Sequence, residues 1–177
     1  LQTLMTLSTR PVPDVPESPA DLAQALEEMY AGLNQQLADV LAGATEAEAD
    51  YRPDENSWNV NELLAHRVTS ERGAQMGAAT QITDGVLDGF PNNPPAWLKA
   101  VTAVYPTLAD MVNLWQRTEA ETVALMANLP EATVARKATY HNIASGFLQG
   151  LSGHTASHIA EIESLLAEAR EKSKVPS

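Results

Sequence analysis

The chain has 177 residues, which is enough for one well-buried domain and short for two, and 44% of them are hydrophobic. Eleven basic residues against 23 acidic ones leave a net charge of −12, so DNA, RNA and anionic membranes are poor candidates as partners. The absence of cysteine excludes a disulfide framework, a thiolate zinc site and a cysteine nucleophile. No apolar run approaches the roughly 20 residues that span a bilayer, and residues 1–7 lack the basic start of a signal peptide, so we expect a cytoplasmic protein.

The first helix is predicted to follow an extended N-terminal arm. The arm comprises residues 1–18 and contains three prolines. Ser18 suits the helix cap and Pro19 the first helical position, and the helix should end near Gly43. Its apolar residues recur at spacings of three and four, which predicts one stripe on the helix: Leu22, Leu26, Met29, Leu33, Leu37 and Val40.

The second helix is predicted to start at a capping box formed by Asn59 and Glu62 and to run to about Gln81. Its apolar face comprises Val60, Leu63, Leu64 and Val68. Residues 82–95 are rich in glycine and proline and predict a long loop. A short helix should follow the loop, because three apolar residues there share a face: Trp97, Val101 and Val104.

The third long helix is predicted to begin at the capping pair Thr107 and Asp110 and to end at Pro130. Its stripe comprises Leu108, Met111, Trp115, Thr122, Met126 and Leu129. Residues 131–145 lack helical periodicity, which favours extended structure there. The last helix carries Phe147, Leu151, Ile162 and Leu165 on one face, and residues 172–177 are predicted to form a C-terminal tail.

These elements predict an all-α fold. Four long amphipathic helices, with a long crossover between the second and the third and one extra short helix, indicate a four-helix bundle over residues 19–171. Three glycines lie in or just before the last helix, at positions 146, 150 and 153. Each interior glycine costs about 1 kcal/mol relative to alanine, and close packing against a neighbouring helix would explain their presence.

Two histidines of the last helix carry the strongest chemical signal. His154 and His158 are four residues apart, so they project from nearly the same side, in the middle of the stripe predicted to face the core. Burying unpaired ring nitrogens costs about 1–3 kcal/mol each, and a divalent metal ion within reach of both would satisfy them. The His-x-x-x-His spacing is by itself a weak signal, because it also occurs on ordinary helices.

A third histidine, His66, lies beside the apolar face of the second helix. Taken alone it fits an ordinary flanking residue. Together with the pair on the last helix it would make a three-histidine site with coordination positions left open for water or substrate, which is typical of catalytic metal sites. A zincin site is excluded because Thr155, and not glutamate, follows His154. The inward Glu-x-x-His pairs of di-iron bundles are absent as well.

The residues around these histidines resemble a known family. Residues 58–66 read Trp-Asn-Val-Asn-Glu-Leu-Leu-Ala-His and are similar to the Trp-Ser-x-x-Glu-x-x-x-His signature of the DinB/YfiT-like metalloenzyme family. Residues 154–162 read His-Thr-Ala-Ser-His-Ile-Ala-Glu-Ile and resemble the closing His-x-x-x-His helix of that family. The motifs occur in the family's order and spacing, over about residues 20–170. Asn59 stands where serine is usual, and it caps a helix equally well.

The resemblance implies a four-helix bundle that binds nickel or zinc on His66, His154 and His158, often as a homodimer. Some relatives are transferases or isomerases that use low-molecular-weight thiols such as bacillithiol, mycothiol or glutathione. The expected function is therefore a metal-dependent enzyme acting on a small molecule, either a thiol-dependent S-transferase or a hydrolase. The alternatives are a non-catalytic bundle that serves as a stress-related binding or dimeric scaffold protein, and a metal storage or sensing protein.

Two glutamates near the histidines have competing interpretations. Glu161 lies one turn beyond His158 on the same side, where it is a candidate catalytic base or an outer partner of the metal site, and equally a polar residue at the end of the bundle. Glu62 could contact His66, but its place in the capping box is the better explanation.

The remaining candidates are predicted to be structural. Glu119 lies near the stripe of the third helix, where Thr118 and Thr122 are alternatives for the inward position. His141 is predicted to be an exposed loop residue. The three tryptophans are predicted to be core or interface residues: Trp58, Trp97 and Trp115.

Overall fold

The computed structural model describes residues 14–83, 85 and 95–174. All regular secondary structure in these residues is helical and none is strand, which confirms the all-α prediction. None of the helices in this part of the chain is long and apolar enough to cross a membrane. Residues 1–13 of the predicted arm, most of the predicted loop at 82–95 and the last three residues of the predicted tail lie outside the described residues.

Four helices of 20 residues or more make up most of the described chain: α1 (Pro19–Leu41), α3 (Val60–Ile82), α5 (Leu108–Ala127) and α8 (Ser152–Ser173). The shorter helices are α2 (Glu46–Ala49), α4 (Pro95–Val104), α6 (Glu131–Ala135) and α7 (Lys137–Ser145). A π-helical segment, Gly146–Leu151, joins α7 to α8. The backbone stays in the right-handed helical region through both junctions, so α7, the π-helical segment and α8 form one continuous helical rod.

The predicted capping residues start the long helices. The side chains of Ser18 and Thr107 each accept a hydrogen bond from the backbone three residues on, and Asn59 forms a complete capping box with Glu62. Beyond the end of α1, Gly43 has a φ of 72°, the left-handed conformation that commonly ends a helix. The four-residue helix α2 was not predicted from the sequence, although it begins with another capping box, formed by Thr45 and Glu48.

The long helices pack side by side, and α1 and α3 each contact both α5 and α8. Every long helix has at least one residue of its predicted apolar stripe that is fully buried, as Leu26, Leu63, Met111 and Ile162 show, whereas Met29, Val40 and Leu108 are half-buried. Buried apolar residues form two clusters. One extends toward α2 and α4, and the other is completed by α7 and the π-helical segment.

Residues 131–145, predicted to be extended, are helical instead. Tyr140, Ile143 and Ala144 are buried against the bundle, so the tertiary packing of α7 stabilises a helix that lacks clear periodicity in its sequence. His141 lies on α7 and is half-buried, which contradicts the expectation of an exposed loop histidine. The short helix α4 was predicted correctly, although Val104 is 67% exposed and does not share the buried face.

The glycines of the continuous rod are not explained by close packing. A Cβ added at Gly146, Gly150 or Gly153 would meet no heavy atom within 4 Å, so the predicted close approach of a neighbouring helix is wrong. Among the described residues, Gly43 alone is a glycine with a positive φ. The glycines of the rod therefore do not adopt the left-handed backbone conformation that would favour glycine. The glycines at these positions instead leave open space.

A buried ionic group lies in the middle of the bundle. Arg67 on α3 is 1% exposed, and its Nη2 is 2.5 Å from Oε2 of Glu71 and 3.6 Å from Oε1 of Glu119 on α5. Its guanidinium lies over the ring of Trp115, and its Nε donates a hydrogen bond to the hydroxyl of Thr155 on α8. One arginine therefore contacts residues of three long helices.

Residues of α1 complete this ionic group. The hydroxyl of Tyr30 donates a hydrogen bond of 2.7 Å to Oε1 of Glu71, and the side-chain amide of Asn34 donates one of 2.7 Å to Oε2 of Glu119. Burial raises the pKa of Glu119 to about 7, although Arg67 acts in the opposite direction. Glu119, which sequence could only place near the stripe, is buried together with Thr118 and Thr122.

We predict that Glu119→Gln reduces the loss of stability that accompanies a rise in pH from mildly acidic to neutral values. The pKa of this carboxyl group rises from 4.5 in a model compound to about 7 in the folded state, so the folded state binds the proton more tightly. The contribution of Glu119 to the stability of the wild-type protein is therefore lost as the pH rises through that interval. The measurement is the free energy of unfolding from urea denaturation at pH 5 and at pH 8. The decrease between these two pH values should be smaller in the variant than in wild type, by on the order of 2 kcal/mol.

Glu121→Gln, an exposed change on the same helix, should behave as wild type. Equal pH dependence of Glu119→Gln and wild type would contradict this prediction.

Candidate metal centre

Three histidines from two helices converge at one point. His66 lies on α3, and His154 and His158 lie one turn apart on α8. The Nε2 atom of His154 is 3.3 Å from Nε2 of His66 and 3.1 Å from Nε2 of His158. Two nitrogens that bind one tetrahedral zinc ion at about 2.0–2.1 Å are themselves about 3.3 Å apart, so the donor spacing fits a shared ion. Among the described residues these three form the group of side chains that could hold a metal ion.

The two histidines of α8 lie at the edge of its buried face. This corrects the prediction from the sequence, which placed them at the centre of that face. Both are half-buried, whereas Thr155 and Ile159 beside them are fully buried or nearly so. Buried residues recur every four positions from Phe147 in the π-helical segment to Ile159, because the wider turn shifts the buried face by about one residue. The imidazoles are therefore turned toward α3 and an open cavity.

The surroundings keep two of the imidazoles neutral. Burial lowers the pKa of His66 to about 4, with smaller contributions from the neighbouring imidazoles and from Arg67. Burial also lowers the pKa of His154, and His158 and Arg67 contribute in the same direction. Neutral imidazole is the form that binds a metal ion, so these two side chains need not release a proton at neutral pH.

Glu161 lies against His158. Its Oε2 is 3.0 Å from Nδ1 of His158, on the side of the ring that faces away from the histidine cluster. A proton on Nδ1 donated to this carboxylate leaves the Nε2 lone pair directed at the cluster, the arrangement found in carboxylate–histidine–metal sites. Glu62 is held by its capping box and by Arg52, which confirms the local explanation for that residue.

The three tryptophans have different environments. Trp115 is 1% exposed and Trp97 is half-buried, in agreement with their predicted structural roles. Trp58 is 38% exposed, and its ring centroid is 4.8 Å from that of His66. Trp58 therefore covers one side of the histidine cluster instead of filling the core.

Two cavities border the histidine cluster. The smaller one has a volume of about 340 Å³ and is lined by Trp58 and Glu161 together with polar residues that precede α3. The larger one has a volume of about 430 Å³ and lies between α3 and the continuous rod, with His154 at one end and apolar side chains such as Phe147 and Leu151 along it. A small molecule in the larger cavity would lie next to His154, whereas the smaller cavity reaches the cluster only through Trp58 and Glu161.

The family assignment follows from comparison with known proteins. The sequence model of the DinB superfamily matches residues 29–162, which is more than half of the chain. The chain belongs to the DinB superfamily. The matched range contains all three histidines of the cluster and Glu161, so the resemblance inferred from the two motifs is confirmed. No curated protein and no solved structure matches the chain.

Arg67, which was not predicted from the sequence, helps to position this centre. Arg67 directly follows His66, and its partner Thr155 directly follows His154, so their hydrogen bond links the two helices at the level of the cluster. The position of Arg67 in the sequence already indicates that its side chain is buried. Arg67 lies three and four residues after Leu64 and Leu63, on the buried face of α3, where an unpaired charge would be costly.

We predict that His66→Ala and His158→Ala each weaken divalent metal binding by more than the 10–100-fold that loss of an outer partner typically costs, because each removes a direct donor. The measurement is equilibrium binding of nickel and zinc to protein without a histidine tag. His141→Ala removes the fourth histidine of the chain, which lies outside the cluster, and should leave binding unchanged. If His66→Ala binds metal as tightly as wild type, His66 is an ordinary flanking residue.

Proposed function

We propose that this DinB superfamily member is a metal-dependent enzyme in which His66, His154 and His158 hold one divalent ion, nickel or zinc. The convergence of three Nε2 atoms from two helices is the observation that carries the proposal. Three protein donors leave coordination positions for a reactant, which is the pattern of catalytic and not of structural sites. The larger cavity, which His154 lines, provides room for a small molecule there.

The chemistry divides between the ion and the protein. A bound divalent ion supplies Lewis acidity, which activates a water molecule or a thiol at neutral pH. His66 and His154 are neutral, and the carboxylate of Glu161 orients His158. Glu161 also lines the smaller cavity, so we propose that it accepts a proton from a molecule bound there.

We propose thiol transfer as the reaction and hydrolysis as the alternative chemistry. The family resemblance favours a low-molecular-weight thiol as one reactant. The chain contains no cysteine, so the thiol has to arrive as a substrate. The resemblance also favours a homodimer, which is part of the same proposal.

A thiol-consumption assay tests the proposed function. Bacillithiol, mycothiol and glutathione would each be combined with a panel of electrophiles, using metal-free protein and protein loaded with nickel or zinc, and ester and amide hydrolysis would be followed in parallel. We expect turnover in loaded protein only, its loss in His158→Ala and its retention in His141→Ala. Turnover that does not depend on the metal contradicts the proposal. Full loading without turnover on the panel favours a non-catalytic bundle or a metal-storage protein.

Glu161→Gln in the same assay separates proton transfer from positioning. At a metal concentration that saturates the variant, we expect a kcat about 100-fold or more below wild type, because general base catalysis typically contributes at least that factor. Glu163→Gln, an exposed change on the same helix, is the control and should retain full activity. A variant that is fully active once saturated with metal would limit Glu161 to orienting His158.

A further inference from the structure

The larger cavity is a groove that leads away from the histidine cluster. Its α3 wall runs from Ser70 to Gln81 and its opposite wall from His154 back to Asn142, along antiparallel helical segments. The twelve residues of α3 from Ser70 to Gln81 are separated by eleven helical steps, which correspond to a length of roughly 16 Å. The groove volume of about 430 Å³ lies within the range of sites that bind small organic molecules.

Small residues keep this groove open at a cost in helix stability. Gly73 and Gly77 line it from α3, and Gly146 and Gly150 line it from the π-helical segment. A glycine inside a helix costs about 1 kcal/mol relative to alanine. Gly146 and Gly150 have neither a positive φ nor a neighbour within 4 Å of an added Cβ, so neither backbone conformation nor close packing explains them. What they provide is unfilled space beside the cluster.

The chemistry of the groove changes along its length. Among the described residues that line it there is no aspartate, glutamate, lysine or arginine, although the chain carries a net charge of −12. Ile143, Phe147 and Leu151 form an apolar floor. The far end has the amides of Asn142 and Gln81, which are joined by a hydrogen bond of 2.8 Å. The near end has His154 and its metal-binding nitrogen.

We infer that this groove binds the main substrate, an elongated and uncharged apolar molecule whose reactive end lies at His154. This inference rests on the proposed function for the reaction, whereas binding of the apolar body depends on the groove alone. The absence of charged lining residues selects against ionic molecules, because a charge moved from water into this groove would have no partner. The amides at the far end provide hydrogen bonds for a polar group at the distal tip.

Binding of the apolar body can be measured without metal. The uncharged fluorescent probe N-phenyl-1-naphthylamine would be titrated into metal-free protein and displaced by straight-chain alcohols from hexanol to dodecanol. We expect affinity to rise about fourfold for each added methylene until the groove is filled, as expected for burial of apolar surface. The decanoate anion should compete more weakly than decanol.

Two substitutions fill the groove and one provides a matched control. Gly150→Leu and Gly146→Leu place a side chain in the open space, and each should lower probe affinity at least tenfold. Gly32→Leu makes the same exchange at an exposed helical glycine of α1, where an added Cβ also meets nothing within 4 Å, and it should bind as wild type. Circular dichroism and thermal unfolding identify any variant that fails to fold, and having two groove positions keeps the test decisive.

The outcomes separate the groove from the metal chemistry. His158→Ala does not alter the groove lining and should retain probe binding even where turnover is lost. Probe affinity that is equal in the groove variants and in Gly32→Leu, or that does not depend on chain length, would overturn the inference while leaving the metal site intact. A change of oligomeric mass in Gly150→Leu with unchanged probe affinity would also overturn it, because a second copy of the chain would then occupy the groove.

Discussion

The pairing of one buried arginine with residues of three helices is the constraint on which the site depends. Arg67 is withdrawn from water and must be compensated, which Glu71, Glu119 and the hydroxyl of Thr155 do together. Its neighbour in sequence is His66, and the neighbour of Thr155 is His154. Satisfying the arginine therefore fixes α3 and α8 at the same level along the bundle, and the imidazoles meet as a consequence. Removing one partner from such a group leaves an uncompensated charge, so the arrangement has few alternatives.

The continuous rod of α7, the π-helical segment and α8 combines this constraint with open space. Its buried face shifts at the wider π turn, which places Thr155 and Ile159 in the core, leaves His154 and His158 at the edge of that face, and lets His154 line the larger cavity. The glycines of the same segment leave the larger cavity unfilled. These glycines lower the stability of the helix and leave space unfilled beside the candidate metal centre. Both effects suit a binding site better than a purely structural core.

Sequence predicted the parts of this molecule that depend on local rules. Capping residues such as Asn59 and periodic apolar stripes located the long helices, and the His-x-x-x-His spacing identified His154 and His158 as candidate metal ligands. Features that depend on tertiary packing were missed or misplaced. Residues 131–145 form helices because the bundle buries one side of α7, and these residues have no periodic apolar pattern that predicts a helix. The position of the histidines at the edge of the buried face depends on a π turn that straight helical geometry does not anticipate. Arg67 lies on the buried face of α3, as its sequence position indicates, but two of its partners, Glu119 and Thr155, come from distant parts of the chain and could not be predicted from it.

X-ray absorption spectroscopy of the nickel-loaded and zinc-loaded protein, purified without a histidine tag, tests the central claim most directly. The account predicts three imidazole nitrogens bound to one ion, at about 2.0–2.1 Å in the zinc form, with multiple-scattering features of the rings. The same spectrum of His154→Ala should show fewer imidazoles. A spectrum of the wild-type protein that shows only oxygen ligands, or a single imidazole, would contradict the convergence of His66, His154 and His158 on one cation.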